Sequence, residues 1–81
     1  MIITTFLDGG NMSTQFAIGI FIRNRRKKLE MSQTVLAQLV DVDQSRISIL
    51  ERGGSPLKAE EIPKLAKALH VPNQEFYNFI E

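Results

Sequence analysis

Between positions 44 and 52 the chain reads Gln-Ser-Arg-Ile-Ser-Ile-Leu-Glu-Arg. An amide, two hydroxyls and two guanidinium groups are interleaved there with aliphatic side chains. Such groups recognise flat polar edges and phosphate oxygens by hydrogen bonding and break no bonds of their own. Covalent chemistry has little to work with elsewhere. The chain has no cysteine and one histidine, His70, which has no partner at a telling spacing. No glycine-rich phosphate loop, nucleophile motif or metal-ligand cluster occurs. No enzyme, metal or cofactor is therefore expected, and the chemistry points to binding.

The elements that must position these groups follow from apolar spacing. The fold class is all-α, with five short helices joined by short connections. The first is expected from Ser13 or Thr14 to Glu30, with Ile18, Ile22 and Leu29 on one stripe and Arg26 at its edge. The basic run Arg23, Arg25, Arg26, Lys27, Lys28 fills its C-terminal half, where cations suit the helix dipole. Ser32 is a good N-cap for the second helix, Gln33 to about Val40, whose inner face is expected to be Val35, Leu36, Leu39 and Val40. After the tight link Asp41-Val42, Asp43 caps a third helix, Gln44 to about Arg52, with Ile47 and Leu50 inward. Gly53-Gly54 and Ser55-Pro56 stop it. A fourth helix is expected from about Ala59 to His70, with Pro63 costing one early backbone bond at most. Val71-Pro72 breaks the chain before a last helix, Asn73 to about Ile80.

Composition bounds the answer. At 81 residues with 43% hydrophobic content, the chain fits one small domain with a packed core. Absence of cysteine suits a reducing cytoplasm. The apolar run Phe16 to Ile22 is too short to span a bilayer, and the N-terminus lacks a signal-peptide pattern. A cytoplasmic protein without a membrane partner is expected. Net charge is only +1, yet eight Lys/Arg face five Asp/Glu up to Lys58, and two Lys face four Glu beyond it. A basic front and a mildly acidic tail fit a polyanion on one face and a different partner on the other. Residues 1–12 read as a separate leader, disordered or a short strand, ahead of a domain at 13–81. A second reading of that leader makes Met12 the native start.

The stretch Ser32 to Gly53, SQTVLAQLVDVDQSRISILERG, resembles the helix-turn-helix of the lambda-repressor and Cro type, the XRE family. The family pattern falls on Ser32, Gln33, Leu36, Ala37, Val42, Gln44, Ile47, Ser48, Glu51, Arg52 and Gly53. It extends back to Ile22, Arg23 and Arg26, and forward through Pro56, Leu65-Ala66, Ala68-Leu69 and Val71. About Ile18 to Phe79 is covered. Asp41 stands where the family usually has Gly, and Glu30 replaces the Gly or Asn that often ends helix one. Neither departure removes the motif.

The resemblance implies sequence-specific binding of double-stranded DNA by a small transcriptional regulator, repressor-like or restriction–modification controller-like. The third helix would enter the major groove of a near-palindromic operator. Gln44, Ser45, Arg46, Ser48 and Ile49 are then the expected base readers, with Gln44 suited to adenine N6 and N7. Ser32, Gln33, Arg23, Arg52 and Lys58 are the expected phosphate contacts, Gln33 also bracing Gln44. Arg26 and Glu51 are implied as a partly buried structural ion pair. Phe76, Tyr77, Phe79 and Ile80 offer more apolar surface than one small core needs, which points to a homodimer through the last helix. The alternative is an antitoxin-type protein-interaction module that binds a toxin partner and autoregulates.

Overall fold

The computed structural model describes residues 12–80, which form α1 (Met12–Lys28), α2 (Gln33–Val40), α3 (Gln44–Glu51), α4 (Glu61–Leu69) and α5 (Asn73–Ile80). The fold class is the expected one, five helices with no strand among the described residues. The leader expectation lies outside the described residues except at Met12, which already belongs to α1. Each α4 boundary moves in by one or two residues: Ala59 and Glu60 form a turn, and His70 is the C-cap. Pro63 therefore sits in the first turn, where a missing N–H costs no helical bond.

One core joins all five helices. Ile22 of α1, Leu36 of α2, Ile47 of α3, Ile62, Leu65 and Leu69 of α4 and Phe76 of α5 have no exposed surface. Gly19 lets α1 lie directly on the end of α3, because a Cβ there would stand 2.5 Å from the Leu50 carbonyl oxygen. The inner face of α2 is a correction to the expected one. Leu36, Ala37 and Val40 are buried, whereas Val35 and Leu39 are exposed. With Leu36, Ala37 and Val40 turned to the core, the helical spacing puts Val35 and Leu39 on the outer side. No helix among the described residues is long and apolar enough to cross a membrane.

The helix ends repeat one device. Ser32 caps α2 by accepting the Val35 N–H at 3.0 Å. Asp43 occupies the N-cap of α3 in extended backbone, but its side chain makes no capping bond. At the C-termini, α1, α2, α3 and α4 all close in the same double-bonded turn. Met31 donates to the Arg26 carbonyl, Val42 to Ala37, Gly54 to Ile49 and Val71 to Ala66, while the residue before each donates to an inner carbonyl. That preceding residue is left-handed in every case, yet only Gly53 is a glycine. Glu30, Asp41 and His70 hold φ of 58°, 64° and 60°. Met31, Val42 and Val71 then pack on the core, and this anchoring holds the strained turns in place.

Left-handed geometry costs a residue with a Cβ about 1–2 kcal/mol, and glycine gives part of that back through the unfolded chain's entropy. Glu30→Gly and His70→Gly should each raise stability by roughly 0.5–1 kcal/mol, a few degrees in Tm. Thermal unfolding of the two variants measures this. A lowered Tm in both would show that the turns are unstrained.

Candidate nucleic-acid interface

The groups singled out between positions 44 and 52 are placed by a buried ion pair. Arg26 Nε donates to Glu51 Oε2 at 2.6 Å and Arg26 Nη2 to Glu51 Oε1 at 3.0 Å. Arg26 Nη1 donates to the Met31 carbonyl, so one guanidinium joins α1, α3 and the turn between α1 and α2. The side chains are only 11% and 4% exposed. The hydrogen bond and charge of Glu51 hold the Arg26 pKa above its ordinary value despite burial.

From that pair a line of hydrogen bonds runs to the surface. Gln33 Nε2 donates to Glu51 Oε1 at 3.0 Å, and Gln44 Nε2 donates to Gln33 Oε1 at 2.5 Å. Gln44 lies exposed at the start of α3, beside exposed Ser45. One turn on, Arg52 Nη1 donates to Ser48 Oγ. Ile49 is half-buried, its Cγ2 close to Gly54. Gln44, Ser45, Ser48, Ile49 and Arg52 thus share the side of the helix opposite Ile47 and Leu50. Ser32 is exposed at the start of α2 with its hydroxyl oxygen capping the helix, and Arg23 is exposed on α1. Lys58 is half-buried and gives its backbone N–H to Glu61.

Arg46 is a correction. It was expected among the base readers, but its guanidinium faces the other way. Nε and Nη2 donate to the two Glu61 carboxylate oxygens at 2.7 and 2.8 Å. Nη1 donates to Ser55 Oγ and Nη2 to the Pro56 carbonyl. This bidentate pair fastens α3 to the following loop and to α4, and engages all three guanidinium nitrogens there. Phe76 is the second correction. It is fully buried and stacks edge-on against Phe21 at 5.3 Å, so it is core and offers no dimerisation surface. Phe79 also packs on Phe21, and Tyr77 and Ile80 are half-buried. Arg25 had no expected partner. Its Nε and Nη2 donate to the Leu69 carbonyl, capping the end of α4.

Residues 22–76 match the helix-turn-helix family HTH_3. The chain belongs to that family. It carries the XRE or Cro type of helix-turn-helix found in DNA-binding transcriptional regulators. Among solved structures, the restriction–modification controller protein C.AhdI from Aeromonas hydrophila is 31% identical, with a TM-score of 0.75 over 80% of this chain and 94% of that one. The P22 c2 repressor, crystallised with a synthetic operator, is 36% identical, with a TM-score of 0.69 over 73% of this chain and 89% of that one. A transcriptional regulator from the ATPase CF(0) region of Rhodospirillum rubrum, itself uncharacterised, is 34% identical over 64 residues. Those residues are 79% of this chain and 59% of the relative, so the chain spans less than two thirds of that protein. In this helix-turn-helix α2 and α3 are the paired helices, and α3 exposes Gln44 and Ser45 at its N-terminus.

The Arg46–Glu61 pair sets a stability test. Burial pushes the Glu61 carboxyl up, but the hydrogen bonds from Arg46 and the Lys58 N–H, with the charges of both residues, outweigh it and hold the pKa below the ordinary 4.5. A lowered folded pKa stabilises above the unfolded value, and that stabilisation is lost as pH falls through the folded value. Arg46→Ala leaves a buried carboxylate unpaired and should cost about 3–5 kcal/mol. The deficit should be full at neutral pH and shrink below pH 4.5 as the carboxyl takes a proton. Urea unfolding of wild type and variant at pH 7 and in acid reads both outcomes. A variant as stable as wild type would return Arg46 to the solvent face.

Proposed function

We propose that the chain is a cytoplasmic transcriptional regulator that reads a specific, near-palindromic double-stranded DNA site as a homodimer. The observation that carries this reading is Gln44: an exposed amide at the N-terminus of α3, held by Gln33 while its neighbours Ser45, Ser48 and Arg52 share its face. A helix presented this way fits the major groove N-terminus first. Gln44 meets base edges, Ser45 and Ser48 accept or donate beside it, and Ile49 faces a thymine methyl. Arg23, Arg52, Ser32, Gln33 and Lys58 meet the flanking phosphates, which fix register without reading sequence. The P22 c2 neighbour is described bound to an operator, and C.AhdI as a controller protein, which supports both the ligand and the regulatory role.

The dimer uses α5. With Phe76 in the core, Tyr77, Phe79 and Ile80 are the residues left to meet a second copy. A two-fold axis there sets two copies of α3 about one DNA turn apart. A protein partner is the second reading. Met12, Phe16 and Ile20 are 62%, 50% and 57% exposed, one turn apart along a single face of α1, and an antitoxin-type module has use for such a stripe.

Selection of sites from random duplex DNA tests the main reading. A two-fold symmetric winner, bound far more tightly than random DNA, is expected, and Gln44→Ala should lose about 1–3 kcal/mol on it. Only weak, sequence-blind binding would move the weight to the protein-partner reading. Tyr77→Lys combined with Ile80→Lys should convert a dimer to a monomer in sedimentation equilibrium and weaken binding to the full site far more than to a half-site. A variant that stays dimeric would place the interface elsewhere.

A further inference from the structure

An amide side chain is ambiguous to its ligand. It presents one acceptor and two donors, and rotation by half a turn exchanges their places. A reader that presents one N–H and one C=O matches adenine, whose groove edge offers N7 as acceptor and N6–H as donor. The same amide presenting only N–H groups matches guanine, whose N7 and O6 both accept. Whether Gln44 favours adenine or guanine thus depends on which way its amide is turned.

Here the turn is dictated from the interior. Arg26 is donor-only, and the Glu51 carboxylate it holds is acceptor-only. Gln33 meets Glu51 Oε1 and must therefore present Nε2 to it. That leaves Gln33 Oε1 facing Gln44, so Gln44 must present its own Nε2 inward. What remains on Gln44 for a ligand is Oε1 and the second N–H. The order follows from the chemistry of the two ends, since no other assignment satisfies all four side chains. All three bonds lie between 2.5 and 3.0 Å.

We propose that Glu51, which touches no ligand, is a positioning residue that fixes the hydrogen-bonding polarity of Gln44 through Gln33 and so selects adenine over guanine at the base pair Gln44 reads. The inference rests on the DNA-reading function above. The Gln33–Gln44 contact alone does not select a base, because two amides satisfy each other in either order. The buried charge breaks that symmetry.

The test is Glu51→Gln. A glutamine at 51 can turn either an acceptor or a donor toward Gln33, so the outer amides are released to take both orders. The base pair in question is the one whose preference Gln44→Ala relaxes on the selected site. Wild type should bind adenine there about tenfold or more tightly than guanine, as a bidentate contact does. In Glu51→Gln the ratio should fall to less than about threefold, measured on protein shown to be folded by circular dichroism. A residue that only stabilises the domain would weaken both sites equally, so an unchanged ratio overturns the proposal. If Glu51→Gln does not fold, NMR of the wild-type chain decides. The side-chain NH2 groups of Gln33 and Gln44 should each show one proton shifted downfield and protected from exchange, and random-coil shifts at both would overturn it. A wild-type chain with no sequence preference defeats the function itself. A sequence-specific chain whose Glu51→Gln variant keeps its ratio defeats this inference alone.

Discussion

The Arg26–Glu51 ion pair is the constraint on which the rest of the interface depends. Two charges taken out of water are costly unless every donor and acceptor around them is met. Here each is met: the guanidinium spans both carboxylate oxygens and the Met31 carbonyl, and Gln33 takes a remaining lone pair. No buried side-chain polar atom among the described residues lacks a partner. The pair also fixes geometry. It can close only if α1 lies tight on the end of α3, and Gly19 is the residue that permits that approach. Packing and electrostatics therefore agree on one orientation of α3, and the outward amide of Gln44 inherits it.

Arginine does most of the stapling. Arg26 ties α1 to α3, Arg46 ties α3 to the loop and α4, and Arg25 ties α1 to the end of α4. Each uses the fork of the guanidinium to hold two groups in a fixed plane, which a lysine would not do. The short helices need this. Four of the five have eight or nine residues, too few to be stable by propensity alone. Their order comes from the common core and from cross-links between helices.

The sequence makes some of this legible and hides the rest for physical reasons. Element order and the Ser32 cap are local, and local spacing announces them, whereas the left-handed stop at Asp41 shows only through the glycine the family usually has there. Arg26, Gln33, Gln44 and Glu51 are visible through the family pattern, and the structure brings all four together. Arg46 and Arg25 are not announced. Their partners lie 15 and 44 residues away, and nothing near either arginine distinguishes an inward guanidinium from a solvated one. Val35 and Leu39 mislead for another reason. A two-turn helix gives too few positions to fix its rotation, and an apolar residue at its edge looks the same as one at its centre. Phe76 groups in sequence with its half-buried neighbours Tyr77, Phe79 and Ile80 because composition shows an aromatic surplus without showing that Phe21 takes up part of it.

The inward arginines also change what the basic front of the chain is worth. Of the eight cations before Ala59, Arg26 and Arg46 are neutralised by buried carboxylates, and Arg25 is spent on carbonyls. That leaves Arg23, Lys27, Lys28, Arg52 and Lys58 to displace counterions from a duplex, and counterion release supplies nearly all of the affinity for arbitrary DNA. The pull of this chain on arbitrary sequence is therefore set by five cations, and not by the eight that the composition displays.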